Sequence, residues 1–225
     1  MNMKIDFFTK IFNQLEYAES FLDGNIRFTP LKYYTTIEDG RKDSREGLKL
    51  NLQSEKVKMI ARIKNKNIPI KGVIGPITFS LDEVLEKKCL CLTINEYFID
   101  FKEENYKELD YSFKGITEEE IEKFGEYIVV ILKPDIFINR IKNYFIENNI
   151  NFEGKNVEYK DFSKFHGEIQ NTGFVKDIKY KSENEYRILA DIEKEGIETI
   201  NIGSLKDIAQ IVNYKEFKDI KIVIE

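Results

Sequence analysis

The chain's chemistry-bearing residues concentrate in two places. "KSENEYRIL" carries Glu183, Glu185 and Arg187 at alternate positions. On a strand, residues two apart project from one face, so the two acids and the arginine share a side while Asn184, Tyr186 and Ile188 take the other. Charged groups in a row on one strand face are solvated, paired with each other, or holding a ligand. One reading is an edge strand facing water with cross-strand ion pairs. The other is a site in which paired glutamates meet a polyol or a developing positive charge, since a carboxylate accepts from sugar hydroxyls and stabilises an oxocarbenium-like centre.

The second concentration is "GNIRFTPLKYYTTIEDGRKDSREG", residues 24–47. Arg27 lies on its opening strand. Arg41, Asp43 and Glu46, preceded by Glu38 and Asp39, are spaced so that a turn gathers them. An arginine held by acids is pre-oriented, and its planar fork suits a phosphate. Tyr33 and Tyr34 offer flat faces for a base or nicotinamide. The alternative is a salt-bridged loop that only pins the turn.

Other reactive residue types lack a context. The lone histidine, His166 in "SKFHGEIQ", sits beside no nucleophile elbow. Cys89 and Cys91 in "KKCLCLTI" are too few, with one histidine, for a zinc site, and as near neighbours on one strand they do not suit a disulfide; they read as small buried hydrophobes. Glu118, Glu119 and Glu120 read as the acidic first turn of a helix. No phosphate loop, dinucleotide glycine fingerprint or metal motif appears.

The elements that position these groups follow from periodicity. "FFTKIFNQLEYAESFLDG" has apolar residues at helical spacing and stops at Gly24. "NIRFTPLKYY" is a strand entering a turn. "LKLNLQ" and "VKMIARI" alternate and read as strands of one hairpin-like section; "IPIKGVIGPITFS" is broken by Gly and Pro into an irregular strand or loop. "CLCLTI" and "EYIVVILKP" read as buried strands. A helix starts at Thr117, and "DIFINRIKNYFIENN" is an amphipathic helix with Asp135 as its cap. "NVEYKDF" is a strand, "GFVKDIKYKSENEYRILADIE" a loop and a long strand, "ETINIGSLKDIAQIV" a strand and a Ser-capped helix, and "KDIKIVIE" a closing strand. This is a mixed α+β pattern with more strands than helices and no regular β-α-β alternation.

Composition bounds the rest. The 225 residues, 42% hydrophobic and 13% aromatic, suit one α+β domain over 1–225 with a polar insertion near 100–125. Net charge is −5 and the isoelectric point about 5.3, which does not favour nucleic acid as a partner. A local basic stretch, "KVKMIARIKNKNIPIK", interleaves Lys56, Lys58, Arg62, Lys64, Lys66 and Lys71 with apolar residues; one face of a hairpin there would be positive. No apolar run reaches the roughly 20 residues of a spanning helix. The expectation is a cytoplasmic protein with no membrane partner and no metal.

In order along the chain, "FLDGNIRFTPLKYY" with its polar loop, "CLCLTI", "FGEYIVVILKPDIFINRI", "FVKDIKYKSENEYRIL" and "INIGSLKDIAQIV" resemble a bacterial domain-of-unknown-function group distantly similar to ADP-ribosyltransferases, often phage- or defence-associated. The resemblance spans roughly residues 10–215. It departs from the group at "IEDGRKDSREG", where an Asn-Asp-Pro turn is common. It implies a mixed, mostly antiparallel, split β core with flanking helices around a cleft for NAD or a related nucleotide. By it, Glu185 takes the place of the late catalytic glutamate and Glu183 the acid two residues before it. Arg27 takes the place of the first-strand arginine, with Tyr33, Tyr34, Arg41, Asp43, Glu46 and Arg187 contributing to nucleotide binding. The activity implied is ADP-ribosyl transfer to a protein acceptor or NAD glycohydrolysis. A non-catalytic nucleotide-signal module in phage defence or counter-defence is the alternative.

Overall fold

The computed structural model describes residues 2–37, 42–101, 109–114 and 116–217. In chain order the elements are β1 (Asn2–Phe12), α1 (Leu15–Leu22), β2 (Asn25–Pro30), α2 (Tyr33–Thr36), β3 (Leu48–Leu52), β4 (Met59–Ile63), β5 (Lys66–Ile70) and β6 (Ile77–Ser80). There follow α3 (Asp82–Leu85), β7 (Lys88–Phe101), β8 (Leu109–Lys114), α4 (Glu118–Phe124), β9 (Tyr127–Ile131), α5 (Pro134–Glu147) and β10 (Phe152–Asn156). The last are β11 (Glu158–Lys160), β12 (Gly167–Glu168), β13 (Val175–Asp177), β14 (Glu185–Ala190), β15 (Glu198–Asn201), β16 (Ala209–Asn213) and α6 (Tyr214–Phe217). The class is α+β. Most of the described strand pairs are antiparallel, and β11 with β13 is parallel. The chain divides into two compact units, one of residues 1–29, 88–156 and 183–225, the other of 30–87 and 157–182.

The first unit is built on β7. Its sheet runs β10-β14-β7-β1-β9-β16, with β2 and β8 also paired to β7 and β15 to β2. One edge of β7 takes β14 along Lys88–Thr93 and then β8 along Glu96–Phe101, while β1 pairs Thr93–Asp100 on the other. The apolar run Leu90, Leu92 and Ile94 faces the main core. Phe8, Val129, Ile131, Ile188 and Ala190 join it from neighbouring strands. The helices α1 and α5 cover this face. Phe137, Ile141 and Phe145 recur every four residues, which places all three on one stripe of α5. Phe145 meets Phe28 edge to face and Phe152 at a tilt, with ring centroids 5.4 and 5.1 Å away.

The opposite face of the same sheet carries a second apolar cluster. There Phe7, Ile128 and Val130 pack with Ile116 just before α4. The α4 amino terminus is closed by a capping box, Thr117 with Glu120, as Thr followed by acids leads one to expect. Elsewhere in this unit Gly24 (φ 92) lies so close to Gly203 that a Cβ would come within 2.1 Å of its carbonyl oxygen, so this turn requires glycine.

The second unit joins β3 to β6 and β12, β11 to β13, and β4 to β5. Leu48, Phe162, Ile169 and Val175 form its core cluster. Asn51 and Gln53 donate to the carbonyls of Phe162 and Phe165 at 2.7–3.1 Å, which pins the loop after β11 to β3.

Several local expectations are corrected. The run from residue 7 is the end of strand β1, and the helix starts only at Leu15. Phe7 and Phe8 are both buried because β1 is covered on both faces, and a strand buried twice mimics helical spacing. β3 does not pair with β4; it pairs with β6 and β12, and β4 pairs with β5, whose segment 66–70 is regular despite Pro69. Asp135 is not the cap of α5: Pro134 opens the helix after Lys133, and Asp135 lies in the first turn. Ser204 starts no helix; a turn leads directly into β16. The segment "KDIKIVIE" and Glu38, Asp39 and Arg41 lie outside the described residues.

Candidate functional site

In the first unit, the register of β14 on β7 sets Glu185 opposite Thr93 and Arg187 opposite Cys91, all on the face away from the main core. The side chains of Glu185 and Arg187 meet on that face. Arg187 Nε donates to Glu185 Oε1 at 2.6 Å and Nη2 donates to Oε2 at 3.3 Å. Both residues are buried, Arg187 at 1% and Glu185 at 4% exposure. A desolvated charge pair is a poor stabiliser compared with apolar residues of similar volume, so its presence in a sheet calls for another reason. The fork fixes the carboxylate's plane.

Next to it the face stays polar. Asn95 and Thr9 are fully buried, and Asn95 Nδ2 donates to Thr9 Oγ1 at 2.8 Å and to the Thr93 carbonyl at 3.2 Å. Asn95 Oδ1 is buried and has no hydrogen-bond partner among the described residues. An orphaned acceptor of this kind costs about 1–3 kcal/mol, and an arriving donor relieves it. The Cys91 thiol is pushed well above its ordinary range, chiefly by its contact with Cys89, then by burial and the Glu185 carboxylate. It is a neutral thiol, unsuited to nucleophilic attack.

Glu183 does not share the strand with Glu185. It ends a 3-10 turn, and Asn184 (φ 39) breaks the alternation before β14 begins. Asn184 Nδ2 donates to the Ile94 carbonyl at 2.7 Å, which ties this left-handed residue to β7. Glu183 instead lies 3.7 Å from Lys123 of α4. Tyr186, on the other face, stacks on Phe8 at 5.1 Å as core. Arg27 is exposed on β2, opposite Thr199.

In the second unit, Asp43 and Glu46 are both 2% exposed. Asp43 Oδ1 accepts from the Arg45 amide at 2.9 Å, its amide donates to the Tyr34 carbonyl at 2.8 Å, and its carbonyl accepts from the Glu46 amide at 3.3 Å. The acids therefore shape a tight turn. Arg45, which sequence reasoning passed over, bridges to Asp177 at 2.6 Å. No local rule joins residues that far apart in the chain. Tyr33 and Tyr34 meet edge to face, with centroids 5.7 Å apart. His166 Nδ1 accepts from the Gln53 amide at 3.1 Å, a structural role.

Burial, and then the neighbouring Glu46 carboxylate, raise the Asp43 pKa above its ordinary value. A carboxyl that holds its proton more tightly when folded contributes stability present below about pH 4, lost as pH rises through the folded-state value. Asp43→Asn, which mimics the protonated acid, therefore gains on the native chain as pH is raised from about 4 to about 7. Urea denaturation of both chains across that range reads the change in their difference.

Among the described residues no group of three or more His, Cys, Asp or Glu side chains is placed to hold a metal ion, and no helix is long and apolar enough to cross a membrane. Comparison of this chain with protein-family models, curated proteins and solved structures finds no match.

Proposed function

We propose that the chain is an ADP-ribosyltransferase-like protein that binds and acts on NAD or a related nucleotide at the polar face of the first unit's sheet. One observation carries this reading: the buried, forked Glu185–Arg187 pair on the same sheet face as Asn95 Oδ1, which has no hydrogen-bond partner among the described residues. Acceptors held rigid in a dry setting suit sugar hydroxyls, and a fixed carboxylate suits a ribosyl centre that gains positive charge. The two successive partners of β7 along one edge support a split mixed core of the kind that resemblance implies.

In the proposed reaction the bond from the ribose C1′ to the nicotinamide nitrogen breaks, and nicotinamide leaves with the electron pair. Glu185 stabilises the resulting cation. Water or a protein side chain then forms the new bond to C1′ and gives up its proton to solvent. Arg187 acts as a positioning residue, holding the carboxylate in one plane.

Nicotinamide release from NAD, followed by chromatography, is the test. The native chain releases it, and Glu185→Gln slows release by about a hundredfold or more. Thermal denaturation of the variant in parallel separates a chemical loss from unfolding. No release and no calorimetric binding by the native chain contradict the proposal, and unchanged release by Glu185→Gln removes the role of that residue.

One feature favours a binding module instead. Both Glu185 oxygens are engaged by Arg187, and the second acid, Glu183, lies beside Lys123 rather than next to Glu185. Saturable NAD or ADP-ribose binding with no product would establish that reading.

A further inference from the structure

The hairpin β4–β5 of the second unit stands apart from the chemistry above. Its strands pair with each other and, among the described residues, with no other strand. Lys64 (φ 44) and Asn65 (φ 62) form the two-residue turn between them, both left-handed as a type I′ hairpin requires. A lone two-stranded ribbon is marginal in water unless something covers it.

The register sorts its side chains. Met59 opposite Ile70, Ala61 opposite Ile68, and Ile63 opposite Lys66 make one face, which is apolar except at the tip. Arg62 opposite Asn67 and Ile60 opposite Pro69 make the other. Ile63, Ile68 and Ile70 are 55%, 47% and 44% exposed, Ile60 is 58%, and Ile74 just beyond is 98%. A Cβ on Gly72 or Gly75 would meet nothing within 4 Å, so the segment that follows borders open space. Between residues 56 and 71 there are six cations and no acid, in a chain whose net charge is −5.

We propose, against the expectation of no membrane partner, that this hairpin docks on an anionic lipid surface. The apolar face supplies isoleucines for the acyl boundary, and the lysines and Arg62 reach the headgroups, the same division of labour as in an interfacial amphipathic helix. Charge complementarity selects the anionic leaflet. A nucleic acid would use the cations and leave the isoleucines in water. An acidic protein patch faces the same objection unless it is also apolar.

Cosedimentation of the full chain with vesicles tests this. Vesicles of phosphatidylcholine with about a quarter phosphatidylserine retain the native chain, and pure phosphatidylcholine vesicles do not. Ile63→Asn and Ile68→Asn each weaken partitioning about tenfold. Lys58→Gln, Lys64→Gln and Lys71→Gln each weaken it about fivefold, and raising salt from about 0.05 to about 0.5 M weakens the native chain by more than any of these single variants. These residues are exposed and outside the proposed nucleotide site, so NAD binding by the variants stays at the native level and the two proposals fail separately.

Equal partitioning onto both vesicle types, or none, overturns the inference, as does retention unchanged in the isoleucine variants. A duplex-DNA mobility shift insensitive to Ile63→Asn points to nucleic acid and overturns it. So does a vesicle-independent dimer, seen by sedimentation, that the isoleucine variants abolish.

Discussion

Arg187→Met lowers the stability of the chain by about 3–5 kcal/mol, because it leaves the Glu185 carboxylate buried without its guanidinium partner. The charge does not simply disappear. It must be neutralised by taking up a proton or exposed by a local opening, and either route costs folding free energy. The companion expectation is sharper. Converting both residues to apolar side chains, as in Glu185→Leu with Arg187→Met, recovers part of the loss, since two hydrophobes avoid the desolvation that the pair incurs. Urea midpoints of the native chain, the single variant and the double variant measure this. A double variant more stable than the single variant but unable to bind NAD separates the pair's binding role from any contribution to folding.

Phe145→Ala has a comparable effect for a different reason. Phe145 is fully buried, lies on the stripe of α5 that faces the sheet, and touches the rings of Phe28, Tyr144 and Phe152. Removing it leaves a cavity bounded by strands β2 and β10, neither of which can shift without breaking ladder bonds. The expected loss is about 3–5 kcal/mol. The adjacent Ile146, 59% exposed, serves as the control: its alanine variant changes stability by less than about 0.5 kcal/mol. Equal losses at both positions would mean that α5 does not present this stripe to the sheet.

Local physics made parts of the fold legible. The Thr117 capping box, the β-branched run of β9 and the amphipathic α5 all follow from side chains within a few residues of one another. The first strand was hidden because burial on both faces put apolar residues at 7, 8, 11 and 12, a spacing that imitates a helix. The pairing of β3 was hidden because its partners lie further along the chain at β6 and β12. For the candidate site, the meeting of Glu185 and Arg187 follows from strand alternation alone. Glu183 was drawn into that alternation because nothing in "SENE" announces the left-handed Asn184 that ends it. Asn95 and Thr9 carried no signal at all. A buried amide becomes informative only when its partners are counted, and those partners come from another strand.

NAD titrated into the chain and followed by nuclear magnetic resonance at the Asn95 side-chain amide, the Thr9 and Thr93 methyls and the Arg187 Nε–H tests the proposed site most directly. Saturable shifts at these four positions, with those at Asn95, Thr9 and Thr93 lost in the doubly apolar variant, are the predicted result. Shifts confined to the second unit, or no shift at any concentration of NAD or ADP-ribose, would show that this polar sheet face is not where a nucleotide binds.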